Sequence, residues 1–311
     1  MATTFALLLL STAIIASMAG VLGFGIILVV SLSKCIRSKI WSPYDMIMIS
    51  LSLSSVILLS WTILDSLISV YCSSSYYEEN VFVVNRTVLI FLDYSGFWSC
   101  AWLSVFYCAK VASFTQSFFI WLKQRIASLV PWLLITSLLF SFTTALPLTW
   151  GIYGMHNNFT APLTTANSSE TGVTRKDTVI LLILLSNAGI GFPLILSVVS
   201  SILLIRSLWI HTRQMQSNAS GYRDPSLEAH MSAIKSVCSF LMLYITYFIC
   251  LLLLISGNFL PLSIGESMCA VVMTACSAGH SMALIWSNPK FREVPARILH
   301  HANCHIRTRS W

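Results

Sequence analysis

Long apolar stretches separated by short polar segments form the main pattern of this chain. Seven of them lie at about 5–33, 45–71, 88–110, 130–152, 178–207, 234–256 and 264–286. A helix of about 20 apolar residues crosses the roughly 30 Å hydrocarbon core of a bilayer. Because lipid cannot hydrogen-bond an exposed backbone, such spans are expected to be helical. The pattern therefore predicts an all-α integral membrane protein with seven transmembrane helices in one domain, 1–311.

Composition and charge add an orientation to this topology. The chain is 56% hydrophobic and only 9% charged, and its mean hydropathy is +0.80. With the amino terminus outside, 15 of the 18 lysines and arginines fall on the cytoplasmic side, and only Arg86, Arg175 and Lys176 fall outside. Cytoplasmic segments of membrane proteins carry this excess. The charges therefore predict an extracellular amino terminus and a cytoplasmic carboxyl terminus.

The same charge rule assigns each of the longest polar segments to one side of the membrane. An outer loop is predicted at 153–177, an inner loop at 208–233 and a basic cytoplasmic tail at 288–311. The net charge of +7 follows from this topology, so we infer no binding to nucleic acid. The tail is expected to lie on anionic membrane lipid. Two sequons in the outer loop, at Asn158 and Asn167, are predicted glycosylation sites, whereas the sequon at Asn85 lies close to the membrane.

The sequence offers little support for an enzyme or a transporter. It contains no CxxC or HExxH string, so neither a metal nor a cofactor is predicted. Asp65 and Asp93 are expected near the outer ends of their spans and outside any GxGD context, and no GxSG string occurs. The chain also lacks obvious repeated halves with matching Gly/Pro-broken spans, which disfavours a small-solute transporter. We therefore predict that the protein is not an enzyme.

Aromatic residues in the second and third spans predict a ligand pocket. Trp98 and Trp102 are spaced i, i+4 and share one helix face, and Trp61 and Asp65 repeat this spacing. An aromatic box with a few polar groups is typical of a small-molecule site. Ordinary packing and interfacial tryptophan belts produce the same pattern. Spacing alone leaves both interpretations open.

Lys110 lies near the inner end of the third span and also has two interpretations. Its long stem can reach the cytoplasmic interface as an anchor. Alternatively, it belongs to a switch surface with Tyr107 and the basic stretch WLKQRI, which contains Lys123 and Arg125. A cytoplasmic partner would dock on that surface.

Four strings resemble one known family. They are FWSCAWLSVFYCAKVASFTQSFFIWLKQRI, FPLILSVVSSILLIRSLWIHTRQM, RDPSLEAHMSAIKSVCSFLMLY and GHSMALIWSNPKFR, and together they cover about half of the chain. They resemble the bitter taste receptors, or type 2 taste receptors, which are seven-helix G-protein-coupled receptors. The chain lacks the DRY-like triplet, CWxP and NPxxY of rhodopsin-type receptors. A vomeronasal type 1-like chemosensory receptor is the main alternative.

The resemblance implies a receptor of the plasma membrane with two functional regions. A small bitter-tasting organic ligand would bind on the extracellular side at Trp98, Ser99, Trp102, Trp61, Asp65, Asn187, Tyr247 and Ala270. Switching and coupling would involve Tyr107, Lys110, Lys123, Arg125, His211, His230, Lys235, Tyr244, His280 and Ser281. The partner would be a heterotrimeric G protein, gustducin-like or of another Gi family type. Both homo-oligomers and hetero-oligomers remain open.

Some of these residues have simpler structural interpretations, and three positions depart from the family pattern. His280 would hydrogen-bond a neighbouring helix, and Asn187 would satisfy backbone groups at a kink before Pro193. The family usually carries an asparagine and an arginine where this chain has Phe24 and Ser55. Ala270 stands where some relatives have an acidic residue, so the resemblance implies no preference for amines.

Overall fold

The computed structural model describes residues 2–71, 79–111, 117–160, 180, 184–185, 187–218, 225–255, 263–288 and 291. Seven long α-helices make up most of this part of the chain, which contains no β-strand. They are α1 (Ala2–Ser38), α2 (Pro43–Tyr71), α3 (Glu79–Val111), α4 (Ser117–Thr160), α5 (Phe192–Asn218), α6 (Pro225–Ile255) and α7 (Ile264–Ser287). A π-helical segment, Asn187–Gly191, leads into α5. The predicted all-α fold is confirmed for the described residues.

The outer surface of the helix bundle is largely apolar, as expected of a surface in contact with lipid. Six helices carry stretches long and apolar enough to cross a membrane, whereas the apolar stretch described in α6 is shorter, from Cys238 to Leu254. On α4, Trp132 is 68% exposed and Leu139 is 63% exposed. Exposed apolar surface on this scale is unfavourable in water but favourable against hydrocarbon chains. The chain is therefore a multi-pass membrane protein.

Several helices extend beyond the apolar stretches that predicted them. α3 begins at 79 rather than 88, and α4 runs from 117 to 160 rather than from 130 to 152. The segment assigned to an inner loop at 208–233 is helical over 208–218 and 225–233. Hydropathy marks only the part of a helix inside the hydrocarbon, whereas backbone hydrogen bonds continue through the polar interface. The remainder of the predicted outer loop and nearly all of the tail lie outside the described residues.

α3 is the central helix of the bundle. It packs against α2, α4 and α5, while α1 packs against α2 and α7, and α6 against α5 and α7. The contact between α1 and α7 is close at Gly23, where a Cβ atom would overlap the side chain of Ser281. Ser281 is fully buried. Only glycine lets the two backbones approach this closely.

Two large groups of buried side chains fill most of the described interior, and a smaller group of Cys108, Leu204 and Leu208 lies between α3 and α5. One large group lies among α1 to α4 and includes Phe24, Leu51 and Cys100. The other lies among α3, α4, the π-helical segment, α6 and α7 and includes Phe97, Tyr244, Tyr247 and Cys276. Residues of both large groups line one cavity, so this cavity lies at the boundary between the two halves of the core.

The π-helical segment before α5 packs closely against the ring of Tyr94. Proline has no amide hydrogen, so Pro193 cannot donate to the carbonyl of Gly189 four residues earlier. A π-turn relieves this mismatch in the helical ladder. Tyr94 is only 1% exposed, and a Cβ atom at Gly189 would overlap its ring. The glycine is therefore required by the close approach of this segment to α3.

Candidate functional site: a cavity between the helices

A cavity lies between α1, α2, α3, α6 and α7. Its volume is about 60 Å³. A ligand larger than a few atoms would therefore have to displace side chains. The lining consists of Phe24, Leu51, Ser55, Leu58, Leu59, Leu92, Asp93, Gly96, Phe97, Cys100, Phe240, Leu243, Tyr244, Tyr247, Cys276, Ser277 and His280.

One face of α3 contributes the central wall. Asp93, Gly96, Phe97 and Cys100 recur at intervals of i, i+3, i+4 and i+7, which places them on a single helix face. Asp93 lies ten residues after the start of the candidate membrane span at Val83. At 1.5 Å per residue it is about 15 Å along the span. This position is deeper than the sequence predicted, because the helix and its span begin earlier than position 88.

A hydrogen bond across the cavity connects α3 with α6. The hydroxyl of Tyr247 donates to Oδ1 of Asp93 over 2.6 Å. Tyr247 is 8% exposed, and its ring meets that of Phe97 edge to face, with centroids 5.1 Å apart. This bond is a polar contact between two otherwise apolar helix faces. Any change in the distance between α3 and α6 at this level must stretch or break it.

Aromatic rings continue along the wall from Tyr247 toward α7. The ring centroids of Phe97 and Tyr244 are 4.6 Å apart, and Phe240 stacks on Tyr244 at 5.8 Å. Phe240 also lies 4.7 Å from the imidazole of His280. Contacts of this kind stabilise a packed wall beyond the area they bury. The wall therefore couples the position of α6 to those of α3 and α7.

Two polar atoms of this wall have no hydrogen-bond partner among the described residues. They are the hydroxyl of Tyr244 and Nε2 of His280, and both atoms are buried. A buried polar group without a partner costs about 1–3 kcal/mol. The predicted hydrogen bond from His280 to a neighbouring helix is not present at Nε2. Both atoms belong to residues that line the cavity.

Among the residues predicted to bind ligand, only Tyr247 lines this cavity. Trp98 and Trp102 are stacked with ring centroids 5.7 Å apart, but their face of α3 is directed toward α4. Trp98 meets the ring of Phe140 edge to face at 5.7 Å. The indole nitrogen of Trp102 donates to Oγ of Ser137 over 2.8 Å. This stack is part of the contact between α3 and α4.

Ser99, Trp61 and Asp65 are placed between α2 and α3. Ser99 Oγ lies 3.1 Å from Ser50 Oγ of α2. The indole nitrogen of Trp61 donates to Oδ1 of Asn85 over 2.5 Å, and the Asn85 amide donates to Asp65. These contacts hold the α2 and α3 backbones together.

The remaining two predicted ligand residues lie on other elements. Ala270 is partly buried on α7, where its carbonyl accepts from Thr274. Asn187 opens the π-helical segment, and the structure does not describe its side chain. Neither residue is in the cavity lining.

The predicted switch residues separate into two regions. Tyr244 and His280 are in the cavity wall, and Ser281 is at the contact of α7 with α1. Tyr107 lies at the other end of α3, where its hydroxyl is 3.5 Å from that of Tyr44. Asn288 donates to the same Tyr44 hydroxyl over 3.0 Å. Tyr44 therefore joins α2, α3 and the end of α7.

Basic residues cluster at this same end of the bundle. Lys110, Lys123 and Arg125 are exposed, and the Lys110 ammonium lies 5.9 Å from the ring centroid of Phe106. Lys34 pairs with Asp45 across the turn between α1 and α2.

Four other predicted residues have undescribed side chains, and a fifth is not described at all. His211 is in α5, and His230 and Lys235 are in α6. Asn158 is in the last turn of α4, and Asn167 lies outside the described residues.

Comparisons with known proteins identify the family. The profile described as "Taste receptor protein (TAS2R)" matches residues 1–303. The chain is 60% identical over 309 residues to "Taste receptor type 2 member 40" of Gallus gallus, covering 99% of both chains. The chain belongs to the type 2 taste receptor family. It is also 35% identical over 292 residues to "Taste receptor type 2 member 39" of Homo sapiens, covering 94% of this chain and 86% of that one.

The fold of this type 2 taste receptor is similar to that of a solved structure. The chain resembles squid rhodopsin with a TM-score of 0.60 and 14% identity, over 97% of this chain and 87% of that one. This likeness shows the seven-helix fold of G-protein-coupled receptors. The predicted family and fold are thus confirmed, and the matches favour neither a vomeronasal-type receptor nor a transporter. The family is one of receptors rather than enzymes.

Two of the three positions at which the resemblance implied a departure from the family pattern, Phe24 and Ser55, occur in the cavity lining. Phe24 is 1% exposed and packs edge to face on His280, with ring centroids 5.8 Å apart. Ser55 lines the cavity opposite, from α2. No pattern along the sequence indicates that Phe24, Ser55 and Asp93 share one site. The recurrence of Asp93, Phe97 and Cys100 on one helix face was the available signal.

Proposed function

We propose that this taste receptor binds small bitter organic compounds in the cavity between its helices and activates a gustducin-like G protein or another of the Gi family. It would act in the plasma membrane with its amino terminus outside. The observation that carries the proposal is the hydrogen bond from Tyr247 to Asp93 in the cavity wall. A molecule bound beside this bond contacts α3 and α6 at once.

Ligand binding can change the receptor only through a difference in affinity between two arrangements of the helices. The cavity provides such a difference because little of its space is free and five helices line it. A ligand that enters must move the aromatic wall formed by Phe97, Phe240 and Tyr244. Since α6 carries two of these rings, widening of the cavity is expected to move α6 relative to α3.

The opposite end of the bundle supports a cytoplasmic docking surface. Lys110, Lys123 and Arg125 are exposed there, near the contacts that Tyr44 makes with Tyr107 and Asn288. An excess of basic residues is typical of the cytoplasmic side. Movement of α6 would open a cleft beside this basic surface, where the G protein would bind.

A cell-based calcium assay with a promiscuous G protein tests the signalling proposal. Cells expressing the receptor are screened with a panel of bitter compounds, and nucleotide exchange on gustducin-like and other Gi-family proteins is then measured with each agonist. We expect agonist-dependent exchange. Saturable uptake of the same compounds without exchange on any G protein would instead make the protein a transporter.

Adjacent residues on α3 provide a matched test of the binding site. Phe97 lines the cavity, whereas Trp98 packs toward α4. Phe97→Ala should lower agonist potency by about tenfold or more, as expected for the loss of a buried aromatic contact. Trp98→Ala should have the smaller effect at equal surface expression. The reverse result would place the ligand in the aromatic box predicted from the sequence rather than in the cavity.

A separate experiment tests the orientation of the receptor in the membrane. An epitope tag at the carboxyl terminus should be detected by antibody only after the cells are permeabilised. Labelling of the tag on intact cells would contradict both the proposed orientation and the docking surface.

A further inference from the structure

The cavity contains one acidic group, and the only basic side chain in its described lining is the imidazole of His280. Of the described residues in the lining, Asp93 alone carries a carboxyl group, and none is a lysine or an arginine. Its hydrogen-bond partner, the hydroxyl of Tyr247, is neutral. A carboxylate at this depth is costly unless an opposite charge accompanies it, and acidic groups inside membranes commonly serve as counter-ions of ligands.

The Asp93 carboxylate retains the capacity to bind a cation. An ionised carboxyl group accepts about four hydrogen bonds on its two oxygens, and the Tyr247 hydroxyl contacts one oxygen, Oδ1. This bond also holds the carboxyl group in a defined position at the wall. An ammonium group can therefore approach Asp93 without first displacing Tyr247.

The aromatic wall beside Asp93 also favours a positive charge. Phe97 has its ring centroid 5.1 Å from that of Tyr247 and 4.6 Å from that of Tyr244. The faces of such rings attract cations, and the attraction is strongest where water is excluded. The lining thus combines a carboxylate with several rings, as in sites for organic cations.

The two unpartnered polar atoms indicate the other part of the ligand. The Tyr244 hydroxyl and His280 Nε2 are buried and have no partner among the described residues, and both residues line the cavity with Asp93. A polar group on the ligand, or a water molecule bound with it, would satisfy them. Because the cavity volume is only about 60 Å³, the ligand must be compact or must widen the cavity.

From these contacts we propose that the cavity selects a small protonated amine, with the Asp93 carboxylate as its counter-ion. The acidic partner of the amine then lies on α3, whereas α7 carries Ala270 at the position considered from the sequence. The amine site is inferred from the geometry of the cavity alone, without any assumption about signalling. The signalling that follows from binding rests on the proposed function.

The test compares two probes of similar shape, 2-phenylethylamine, which is protonated at neutral pH, and 2-phenylethanol, which is neutral. Thermal stabilisation of the purified full-length receptor measures binding, and nucleotide exchange on a G protein measures signalling. We expect the amine to bind at least about tenfold more tightly than the alcohol. This ratio corresponds to the net effect of one desolvated hydrogen-bonded charge.

Three variants assign the preference to Asp93. Asp93→Asn keeps the size of the side chain and an acceptor for Tyr247, and it should abolish the preference for the amine. Asp93→Glu keeps the charge and should retain the preference. Glu266→Gln removes a negative charge from the first turn of α7, outside the cavity lining, and should leave both affinities unchanged. Surface expression and the unfolding temperature without ligand verify that each variant folds.

Several outcomes overturn the proposal. These are equal binding of amine and alcohol, equal loss of both in Asp93→Asn, and failure of the amine to stabilise the purified receptor at any concentration that it tolerates. If other bitter compounds still drive nucleotide exchange, these outcomes leave the receptor function standing. Conversely, Asp93-dependent amine binding without nucleotide exchange by any compound would refute the signalling and leave the amine site.

Discussion

Tyr247→Phe removes one oxygen atom from the cavity wall, the hydroxyl that donates to Asp93 over 2.6 Å. The ring itself is retained, so its contact with Phe97 at 5.1 Å should persist. The side chain is only 8% exposed, and phenylalanine fits the same space. The substitution therefore isolates the hydrogen bond between α3 and α6 from the packing around it.

The size of the effect follows from the partners. A hydrogen bond to a charged group contributes about 1.5–3 kcal/mol in soluble proteins, whereas side-chain hydrogen bonds inside membranes average about 0.6 and reach about 1.7 kcal/mol. This bond is short and lies deep in the bundle. We therefore expect a loss of about 1–2 kcal/mol, which for a chain of this length corresponds to a fall in unfolding temperature on the order of 1.5–3 °C.

A double-mutant cycle measures the bond itself. The receptor, Tyr247→Phe, Asp93→Ala and the double variant are heated with a dye that becomes fluorescent on reaction with cysteine thiols. Buried cysteines such as Cys100, Cys250 and Cys276 report unfolding, while the exposed Cys238 contributes a constant baseline. The double variant should be less destabilised than the sum of the single variants by about 1 kcal/mol or more. Effects that add within about 0.5 kcal/mol would refute the coupling between the two side chains.

Three other contacts lead to predictions. Gly189→Ala should destabilise the receptor by about 1–3 kcal/mol, because the new methyl group overlaps a buried tyrosine ring, whereas Gly25→Ala should be neutral or stabilising because nothing lies within 4 Å of its Cβ position. Asn85→Gln should leave the glycan content unchanged, because the Asn85 amide is bonded to α2, whereas Asn158→Gln should remove a glycan, as mobility after glycosidase treatment would show. Lys34→Gln should lower the unfolding temperature by removing the cation beside a buried carboxylate of α2.

Each of these predictions has a result that contradicts it. Equal unfolding temperatures for the two glycine variants would show that the segment before α5 is not packed on Tyr94 as described. A glycan found on Asn85 by mass spectrometry would show that its bonds to Trp61 and Asp65 do not persist. Lys39→Gln is the control for Lys34, because Lys39 forms no ion pair among the described residues, and equal effects of the two substitutions would exclude a specific role for the ion pair.

The parts of the fold that sequence could predict are local. Each apolar stretch overlaps one helix because the hydrocarbon core imposes a minimum length of apolar chain on each span. The helix ends could not be read in this way. α4 continues to Thr160 through WGIYGMHNNFT, a segment whose polar and small residues resemble a loop. Backbone hydrogen bonding, rather than hydropathy, decides where a helix ends.

The candidate site shows the same division. Periodicity correctly places Trp98 and Trp102 on one face of α3, since they stack on each other. Successive residues of a helix point about 100° apart, so Phe97 and Trp98 face different neighbours. Which face meets α4 and which meets α6 depends on how the helices are arranged around α3. No spacing within one helix contains that information.

The amino-acid sequence by itself determined the class, the all-α fold and the family, because these depend on hydropathy and on strings that are read along the chain. The tertiary structure decided that Asp93, Tyr247, Tyr244 and His280 line one cavity although 187 positions separate the first from the last. Their meeting depends on interhelical packing, in which α3 turns one face toward α6 and another toward α4. Packing of this kind is a property of the whole bundle and not of any one segment.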